Sequence, residues 1–305
     1  MEGRAPAAAA ANREPSGWWT RPARRLRWDV QTLSQIRTLL SEHGLSPRKS
    51  LGQNFLIDQN LISRLVDESG VTSGSTVLEV GPGTGTMTEE LLARGCRVVA
   101  SELDRGLCEL LRSRHGDNPN FTLVEGDCLS GKSSLSEGVV ASLGGTPFRL
   151  VSNLPYGAGT GVLLALLTRH PECDLMAVTV QKEVGERLGA AHGSEMYGST
   201  SAVAQCVARV RRVATLPPAC FWPRPEVTSV VLVIERLEEP LTDDPAALGE
   251  FCKRAFAGRR KQLGGLLRAM GSDLTRLPEG LAPDVRIEAL SPGQIAALER
   301  AVRAR

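Results

Sequence analysis

The sequence predicts an α/β fold in which a doubly wound parallel sheet is followed by a small C-terminal helical domain. Short apolar runs alternate with helical periodicities between residues 76 and 181. A glycine-rich loop at residues 81–85 separates the first apolar run from the helical pattern after it. From residue 238 onward the pattern is helical. Such an alternation is typical of parallel sheets, which bind ligands at the carboxyl ends of their strands.

The central elements follow from the spacing of apolar residues. Before the sheet, residues 30–43 carry apolar side chains three to four positions apart and predict a helix, and Asp58 is placed to cap another. Apolar runs predict strands at 76–80, 97–101, 121–125, 149–152 and 175–181. The segments between them predict helices at 86–94, 104–114 and 160–168, and a Gly- and Ser-rich connection with a short helix at 130–147.

The pattern changes after the fifth strand. Residues 208–214 and 227–234 are β-rich and predict an antiparallel hairpin at one edge of the sheet. Helical patterns follow at 244–256, 259–270 and 292–303. We therefore expect an N-terminal extension over residues 1–44, disordered and then helical, a sheet domain over residues 45–236, and a helical domain over residues 237–305.

Composition bounds the class of protein. The chain has 305 residues, 42% hydrophobic and 23% charged, as expected of a soluble protein with one large domain, or with one domain plus a smaller one. No run of eighteen apolar residues occurs, so no membrane partner is expected. The seven cysteines form no C-x-x-C pair and the four histidines are isolated. We therefore expect reduced thiols, a cytoplasmic location and no metal site.

Residues 1–28 have a composition unlike the rest of the chain. They are rich in Ala, Arg and Pro and hold six arginines against two glutamates. This biased composition predicts a disordered tail. An organellar transit peptide and a misassigned start codon are the alternatives, although the segment is neither serine-rich nor amphipathic.

The loop at residues 81–85 has the features of a site for a small cofactor. Gly81, Gly83 and Gly85 lie between a predicted strand and a predicted helix, where a backbone without β-carbons can turn tightly and approach a ligand. Residue 86 is threonine, so the dinucleotide fingerprint is incomplete, and no Gly-Lys-Ser/Thr follows as in a P-loop. Taken alone, the loop is also compatible with a structural turn.

Two acids strengthen the cofactor interpretation. Glu102 ends the second strand, about twenty residues after the loop, where a carboxylate can accept both hydroxyls of a ribose. Asp127 follows the third strand, where it can accept a hydrogen bond from an adenine amino group. Either acid alone is more often a helix cap or a surface carboxylate. Their order on successive strands after a glycine loop favours a nucleoside-containing cofactor.

The tetrapeptide Asn153-Leu154-Pro155-Tyr156 follows the fourth strand and suits a planar base with an exocyclic amine. Asn153 offers a side-chain carbonyl, and Pro155 stiffens the turn so that the Leu154 carbonyl is a second acceptor. Two acceptors would orient the amine towards a methyl donor and stabilise its developing positive charge. Tyr156 supplies an aromatic face for the base. Together with the glycine loop, the tetrapeptide predicts methyl transfer from S-adenosylmethionine to the amino nitrogen of adenine.

Further residues suit contacts to a nucleic acid. Phe221 or Trp222, in a proline-rich loop, could cover the base from the other side, although core packing is the default for an aromatic residue. Acid-free basic blocks occur at 209–224, which includes Arg224, and at 252–268, which includes Lys253, Arg259, Arg260 and Lys261. Basic blocks can bind phosphates, and a solvated helix face is the other interpretation.

The motifs as a set resemble the small-subunit ribosomal RNA adenine dimethyltransferases over roughly residues 45–270. The segments that carry the resemblance are Leu51-Gly-Gln-Asn-Phe-Leu-Ile-Asp58, Glu79-Val-Gly-Pro-Gly-Thr-Gly85, Glu102-Leu-Asp104, Gly126-Asp127, Asn153-Leu-Pro-Tyr156, Gln181-Lys-Glu-Val184, Phe221-x-Pro-x-Pro-x-Val227 and Arg259-Arg-Lys261. The resemblance implies a Rossmann-like class I methyltransferase sheet, S-adenosylmethionine as the cofactor, and dimethylation of two adjacent adenosines by a monomer acting on the immature small subunit.

The resemblance also implies a role for individual residues. Cofactor contacts would come from Asn54, Leu56, Gly81, Gly83, Glu102, Asp127 and Asn153. Asn153 and the Leu154 carbonyl would hold the target amine, and Tyr156 and Phe221 would enclose the base. The C-terminal helices would help to grip RNA.

Some residues depart from the family pattern, and other functions remain open. Gly157-Ala158-Gly159 replaces the usual Asn, Ile and Ser, and Trp222 replaces a small residue. A large-subunit adenine methyltransferase of the macrolide-resistance type is one alternative. A non-catalytic assembly or transcription factor with the same fold is another, and a DNA adenine methyltransferase is a weaker one. The helical tail and the Asn-Leu-Pro-Tyr form favour the small-subunit enzyme over the large-subunit type. Asn153, Glu102 and the glycines are all present, which counts against a non-catalytic factor.

Overall fold

The seven-stranded sheet forms the centre of a computed structural model that describes residues 31–131, 133–272 and 277–304. The tail predicted at residues 1–28 lies outside the described residues. The strands are β1 (Phe55–Leu56), β2 (Thr76–Val80), β3 (Arg97–Glu102), β4 (Phe121–Glu125), β5 (Leu129–Ser130), β6 (Ser134–Leu135), β7 (Phe148–Asn153), β8 (Cys173–Gln181), β9 (Ala208–Leu216), β10 (Phe221–Trp222) and β11 (Ser229–Arg236).

The helices cover both faces of this sheet. They are α1 (Leu33–Glu42), α2 (Gln59–Glu68), α3 (Thr86–Ala93), α4 (Arg105–His115), α5 (Glu137–Leu143), α6 (Gly159–Arg169), α7 (Lys182–Leu188), α8 (Ser199–Val207), α9 (Pro245–Ala257), α10 (Leu263–Ala269) and α11 (Pro292–Arg303). None of the described helices is both long and apolar enough to span a bilayer.

The strand order is β4-β3-β2-β7-β8-β11-β9, and the five strands from β4 to β8 are parallel. The chain reverses its direction of travel across the sheet between β2 and β7, which creates the crevice where doubly wound folds bind ligands. β11 pairs antiparallel with β8 and with the edge strand β9. The structure therefore confirms the doubly wound sheet and the antiparallel hairpin at its edge.

Alternating burial explains how the short strands join two layers of helices. Val77 faces the core with α2 and α3, whereas Leu78 faces the core with α6 and α8. Leu150 and Val151 alternate in the same way. Because successive side chains of a strand point to opposite faces, an apolar strand can be buried on both sides.

Two helices, α7 and α8, were not predicted from the sequence. They lie between β8 and β9 and place residues 182–207 against the sheet. α8 has fully buried Ala202 and Ala204 and little charge, so its amphipathic contrast is weak. This explains why the periodicity of the segment did not identify it.

The C-terminal helices pack directly on the sheet domain. Leu248, Phe251 and Leu298 belong to the same buried cluster as Leu163 of α6 and Val203 of α8. The boundary predicted at residues 236 and 237 coincides with the end of β11. The C-terminal helices and the sheet domain thus share one apolar core. That the helices form a separate domain stays a prediction.

The N-terminal segment reaches the carboxyl edge of the sheet. Ile36 and Leu40 of α1 are buried against Leu107 and Leu110 of α4. The following segment forms β1, which pairs with β10 in a separate two-stranded sheet. This pairing joins the chain before α2 to the proline-rich loop after residue 220.

Candidate active site at the carboxyl edge of the sheet

A cavity of ≈ 1040 Å³ lies at the carboxyl ends of the parallel strands. The loops after β2, β3, β4 and β7 line its floor, and residues 47–56 and 223–227 complete its walls. Hydrogen bonds tie the loops together at the point where the strand order reverses: Gly81 N donates to Ser101 O at 2.8 Å, and Ser152 Oγ donates to Val80 O at 2.6 Å. The volume is sufficient for a small ligand together with a nucleobase.

The glycine loop is packed from behind by residues of two other segments. Gly81 and Gly83 have φ values of 68° and 61°, which L side chains rarely adopt. A β-carbon at Gly81 would lie 2.8 Å from Pro155 Cγ, and one at Gly83 would lie 2.7 Å from the Phe55 ring. The loop therefore needs glycine both for its conformation and for its neighbours.

Glu102 connects the glycine loop to the end of β3. Its Oε1 accepts the N–H groups of Leu103 and Asp104, each at 2.9 Å, and its Oε2 accepts that of Gly83 at 3.2 Å. Burial raises the pKa of this carboxyl, although the three backbone donors oppose the rise. Oε2 has a single backbone donor, so it retains capacity for a hydroxyl of a ligand.

Glu79 lines the cavity too, and the sequence analysis assigned it no role. It is 2% exposed and accepts a hydrogen bond from Thr88 Oγ1 at 2.7 Å. Burial, together with the nearby charge of Glu102, raises its pKa to about 8, so it is largely protonated at neutral pH. The sequence shows an acid directly before the glycine loop. Its protonation could not be predicted, because it depends on burial in the folded protein.

Two residues after β3 and β4 complete the cofactor side. Asp127 is exposed and lines the cavity, with its Oδ1 accepting the N–H of Leu129 at 2.9 Å. Leu103 also lines the cavity and is 53% exposed. Its exposure offers an apolar surface to a ring system. Leu103 was missed because solvent exposure cannot be read from an apolar residue type.

Asn54 and Leu56 enter the cavity from the N-terminal segment. Asn54 Nδ2 donates to Gly52 O at 3.1 Å, and Leu56 is buried in β1. Both line the cavity. The structure therefore brings every predicted cofactor residue to one site, and their individual contacts stay predictions.

Asn153 lies at the end of β7 with both ends of its amide engaged. Nδ2 donates to Asn54 O at 2.8 Å, and Oδ1 accepts a hydrogen bond from Thr179 Oγ1. Leu154 is 2% exposed, and its carbonyl has no hydrogen-bond donor within the described part of the chain. One lone pair of Oδ1 and the Leu154 carbonyl thus remain as acceptors.

Tyr156 lines the cavity and is held from β11. Its hydroxyl hydrogen-bonds with Ser229 Oγ at 2.8 Å, and burial raises its pKa. The ring is half-buried, so it can present one face to a ligand.

Phe221 does not line the cavity, in contrast to the prediction that it would cover the target base. It is 1% exposed and packs in the core with Leu56 and Ile62. The antiparallel pairing of β1 and β10 turns Phe221 inward, while its neighbour Trp222 stacks on Phe55 with ring centroids 6.3 Å apart. Arg37 of α1 lies over the Trp222 ring at 5.2 Å. In this conformation the Phe221 ring is not available to a base.

The predicted RNA-binding residues fall into different settings. Arg224 is exposed at the cavity wall, and Lys253, Arg260 and Lys261 are exposed on and after α9. Arg259 is instead half-buried and paired, with Nε 2.7 Å from Glu288 Oε2. It is therefore less available to a phosphate than its two neighbours.

The arginines of β9 and the basic residues after α9 lie at opposite edges of the sheet. At the end of β9, Leu216 pairs with Ser229 of β11, and Ser229 in turn pairs with Gln181 at the carboxyl edge of β8. At the start of β9, Arg209 pairs with Glu235, at the other end of β11 and so away from the carboxyl edge. The arginines at 209–212 are therefore remote from the cavity. The end of α9 lies on the cavity side, because Arg259 Nη2 donates to Glu195 O, just before α8.

The cavity fits S-adenosylmethionine by the chemistry of its lining. The glycine loop allows close backbone approach, Glu102 and Asp127 supply acceptors for hydroxyl and amino groups, and Leu103 supplies apolar surface. Asn153 lines the same cavity. The residues present can therefore hold a nucleoside cofactor beside a second planar ligand.

Sequence comparisons identify close relatives of the chain. A model of the family described as "Ribosomal RNA adenine dimethylase" matches residues 44–303. A protein of Magnetococcus marinus named "Ribosomal RNA small subunit methyltransferase A" is 38% identical over 268 residues, which are 87% of this chain and 95% of that protein. A protein of the same name from Staphylococcus aureus is 40% identical over 77% of this chain and 80% of its own length.

Solved structures agree on the fold. A dimethyladenosine transferase from Plasmodium falciparum superposes with a TM-score of 0.63 at 18% identity, covering 80% of this chain and 95% of that one. The 23S rRNA methyltransferase ErmE gives a TM-score of 0.61 at 22% identity, covering 82% and 99%. At these identities the structures establish a class I methyltransferase fold, as expected. The family match and the identity of the relatives go further, and they show that the chain belongs to the ribosomal RNA adenine dimethylase family.

Proposed function

We propose that this protein uses S-adenosylmethionine to dimethylate the N6 amino groups of two adjacent adenosines in small-subunit ribosomal RNA. The observation that carries the proposal is the position of Asn153 and the Leu154 carbonyl in the cavity that also contains the glycine loop. Two acceptors beside a nucleoside site match the needs of an exocyclic amine. The relatives named as small-subunit methyltransferases support the choice of RNA.

S-adenosylmethionine supplies an electrophilic methyl group on its sulfonium when it is bound. The chain's own residues then have to place an amine in line with that methyl group. Asn153 Oδ1 and the Leu154 carbonyl accept the two N–H bonds of the target amine and so direct its lone pair. They also stabilise the positive charge that develops on nitrogen. No side chain needs to remove a proton beforehand, because the proton is released after the nitrogen has been methylated.

The remaining lining residues hold the two ligands in place. Glu102 accepts the ribose hydroxyls and Asp127 the adenine amino group of the cofactor. Tyr156 stacks on the target base, and its bond to Ser229 holds the hydroxyl end of the side chain in place. Asn54 and Leu56 close the cofactor side through β1.

We further propose that RNA is gripped by exposed cations on the cavity side of the molecule. Arg224 lies at the cavity wall, and Lys253, Arg260 and Lys261 extend the surface along α9 and the loop after it. Phosphate contacts of this kind position a substrate without reading its sequence. The proposed substrate is the immature small subunit in the cytoplasm, bound by a monomer.

Transfer of labelled methyl to unmodified small subunits tests the proposal, with large subunits and duplex DNA as parallel substrates. The expected result is N6-dimethyladenosine confined to two adjacent positions of the small-subunit RNA. Label in the large subunit instead would identify an enzyme of the macrolide-resistance type. Absence of transfer to all three substrates, with cofactor still bound, would identify a non-catalytic assembly or transcription factor.

A further inference from the structure

We infer that Thr179 of β8 is a positioning residue that fixes the orientation of the Asn153 amide for catalysis. The inference rests on the proposed function of Asn153 as an acceptor for the target amine. Thr179 was not singled out by any sequence motif, and it is 1% exposed. Its hydroxyl donates to Asn153 Oδ1, and its backbone carbonyl accepts the N–H of Leu154 at 3.2 Å.

The orientation of the Asn153 amide follows from its two partners. Asn54 O is a backbone carbonyl and can only accept, so the atom 2.8 Å from it is Nδ2. Oδ1 consequently faces Thr179, and the threonine hydroxyl supplies the proton of that hydrogen bond. A carbonyl oxygen has two lone pairs, so one remains for the target amine.

The sheet register makes Thr179 suited to this task. Asn153 and Thr179 are direct partners in the parallel pairing of β7 and β8. A β-branched side chain in a strand has few rotamers, which holds the hydroxyl in one direction. Through its side chain and its backbone, Thr179 thus constrains both residues that supply acceptors to the amine.

Loss of this hydroxyl would leave the amide anchored at one end only. The Oδ1 acceptor would then spend less time in the direction required by the amine. Because orientation contributes to the transition state more than to binding, the expected effect is on turnover. A positioning hydrogen bond of ordinary strength corresponds to a roughly 10-fold loss of rate.

Thr179→Val and Thr179→Ser separate the hydroxyl from the shape of the side chain. Valine keeps the branched volume and favours strands, whereas serine keeps the hydroxyl. We expect kcat on small subunits to fall about 10-fold in Thr179→Val, with KM for RNA and the cofactor Kd unchanged, and to be largely restored in Thr179→Ser. Full turnover in a folded Thr179→Val protein would overturn the inference, as would an equal loss in both variants.

A double-mutant cycle with Asn153→Ala distinguishes positioning from a general structural effect. If Thr179 acts through Asn153, Thr179→Val adds no further loss in the Asn153→Ala background. An additive loss would count against the inference. Thr179→Cys, which is similar in size and a weak donor, replaces the valine variant if that variant does not fold.

The side-chain amide resonances of Asn153 provide a test that needs no turnover. We expect the Nδ2 proton shifts of Asn153 to change in Thr179→Val and to stay near those of the wild type in Thr179→Ser. Unchanged shifts in both variants would overturn the inference even if the protein proved inactive. If the wild-type protein transferred no methyl group but Thr179→Val still changed the Asn153 shifts, the proposed function would be overturned. The contact between Thr179 and Asn153 would then still be established.

Discussion

The two ends of the Asn153 amide have different partners, and this asymmetry leaves its oxygen as a usable acceptor. We predict that Asn153→Ala lowers the single-turnover rate of methyl transfer ~100-fold or more, by analogy with the loss of one positioned donor at an oxyanion. Cofactor binding, measured by calorimetry, should survive in weakened form, because most of the predicted cofactor contacts come from other residues.

A matched control for this variant is Asn60→Ala, which removes the same amide from the exposed surface of α2. It should turn over like the wild type. Near-normal turnover in Asn153→Ala would be incompatible with the proposed role of the residue.

Glu79 makes a prediction about pH. Its pKa is raised from an ordinary value of 4.5 to about 8, mainly by burial. The folded state therefore binds a proton that the unfolded state releases, and this stabilisation is complete below pH 4.5 and lost as the pH rises through 8. Glu79→Gln keeps an acceptor for Thr88 and does not titrate. The variant should gain stability relative to the wild type between pH 5 and pH 9, by several degrees in Tm.

Thermal melts of the two proteins across that pH range measure the effect. Glu109→Gln, an exposed substitution on α4, serves as the control. A difference in Tm between Glu79→Gln and the wild type that does not vary with pH would show that Glu79 is not protonated in the folded protein.

At the scale of an element, the loop after α9 contains basic residues with different surroundings. Arg259 is paired with Glu288, whereas Arg260 and Lys261 are exposed and form no ion pair within the described residues. We predict that the double variant Arg260→Ala with Lys261→Ala binds RNA more weakly. The slope of log affinity against log salt concentration should fall in magnitude by about two, because two phosphate contacts are lost. Binding titrations at several salt concentrations measure both quantities, and cofactor affinity should not change.

Arg259→Ala is the matched single variant in the same loop. Its ion pair is partly exposed, so its removal should lower stability by less than about 1 kcal/mol and affect RNA affinity less than the neighbouring pair of substitutions. An unchanged RNA affinity in Arg260→Ala with Lys261→Ala would exclude this loop from the RNA surface.

At the same scale, the sequence predicted most elements of the sheet. β2 and β4 have the predicted bounds, and β3, β7 and β8 differ by a few residues at their ends. β2, β3, β7 and β8 are largely buried on both faces, so their composition is distinctive. α8 was missed because its small, uncharged residues lack a periodic contrast, although Ala202 and Ala204 are fully buried.

At the scale of the whole molecule, the C-terminal helices and the sheet share one core. Leu248, Phe251 and Leu298 are buried in the cluster that includes Leu163 of α6. We predict that a chain ending at Arg236 will aggregate, because the faces of α6 and α8 would be exposed to water. Size-exclusion chromatography and circular dichroism test this. A folded, monomeric fragment that binds S-adenosylmethionine would show instead that residues 237–305 form an independent domain.

The sequence by itself determined the sheet, the place of the glycine loop and the position of the Asn-Leu-Pro-Tyr turn, because these depend on local patterns. The tertiary structure decided which side chains reach the cavity. The pairing of β1 with β10 places the Phe221 side chain in the core. Burial raises the pKa of Glu79 to about 8, so that it is largely protonated at neutral pH. The register of β7 and β8 placed Thr179 against Asn153. These outcomes depend on contacts between segments distant in the chain, which no local pattern contains.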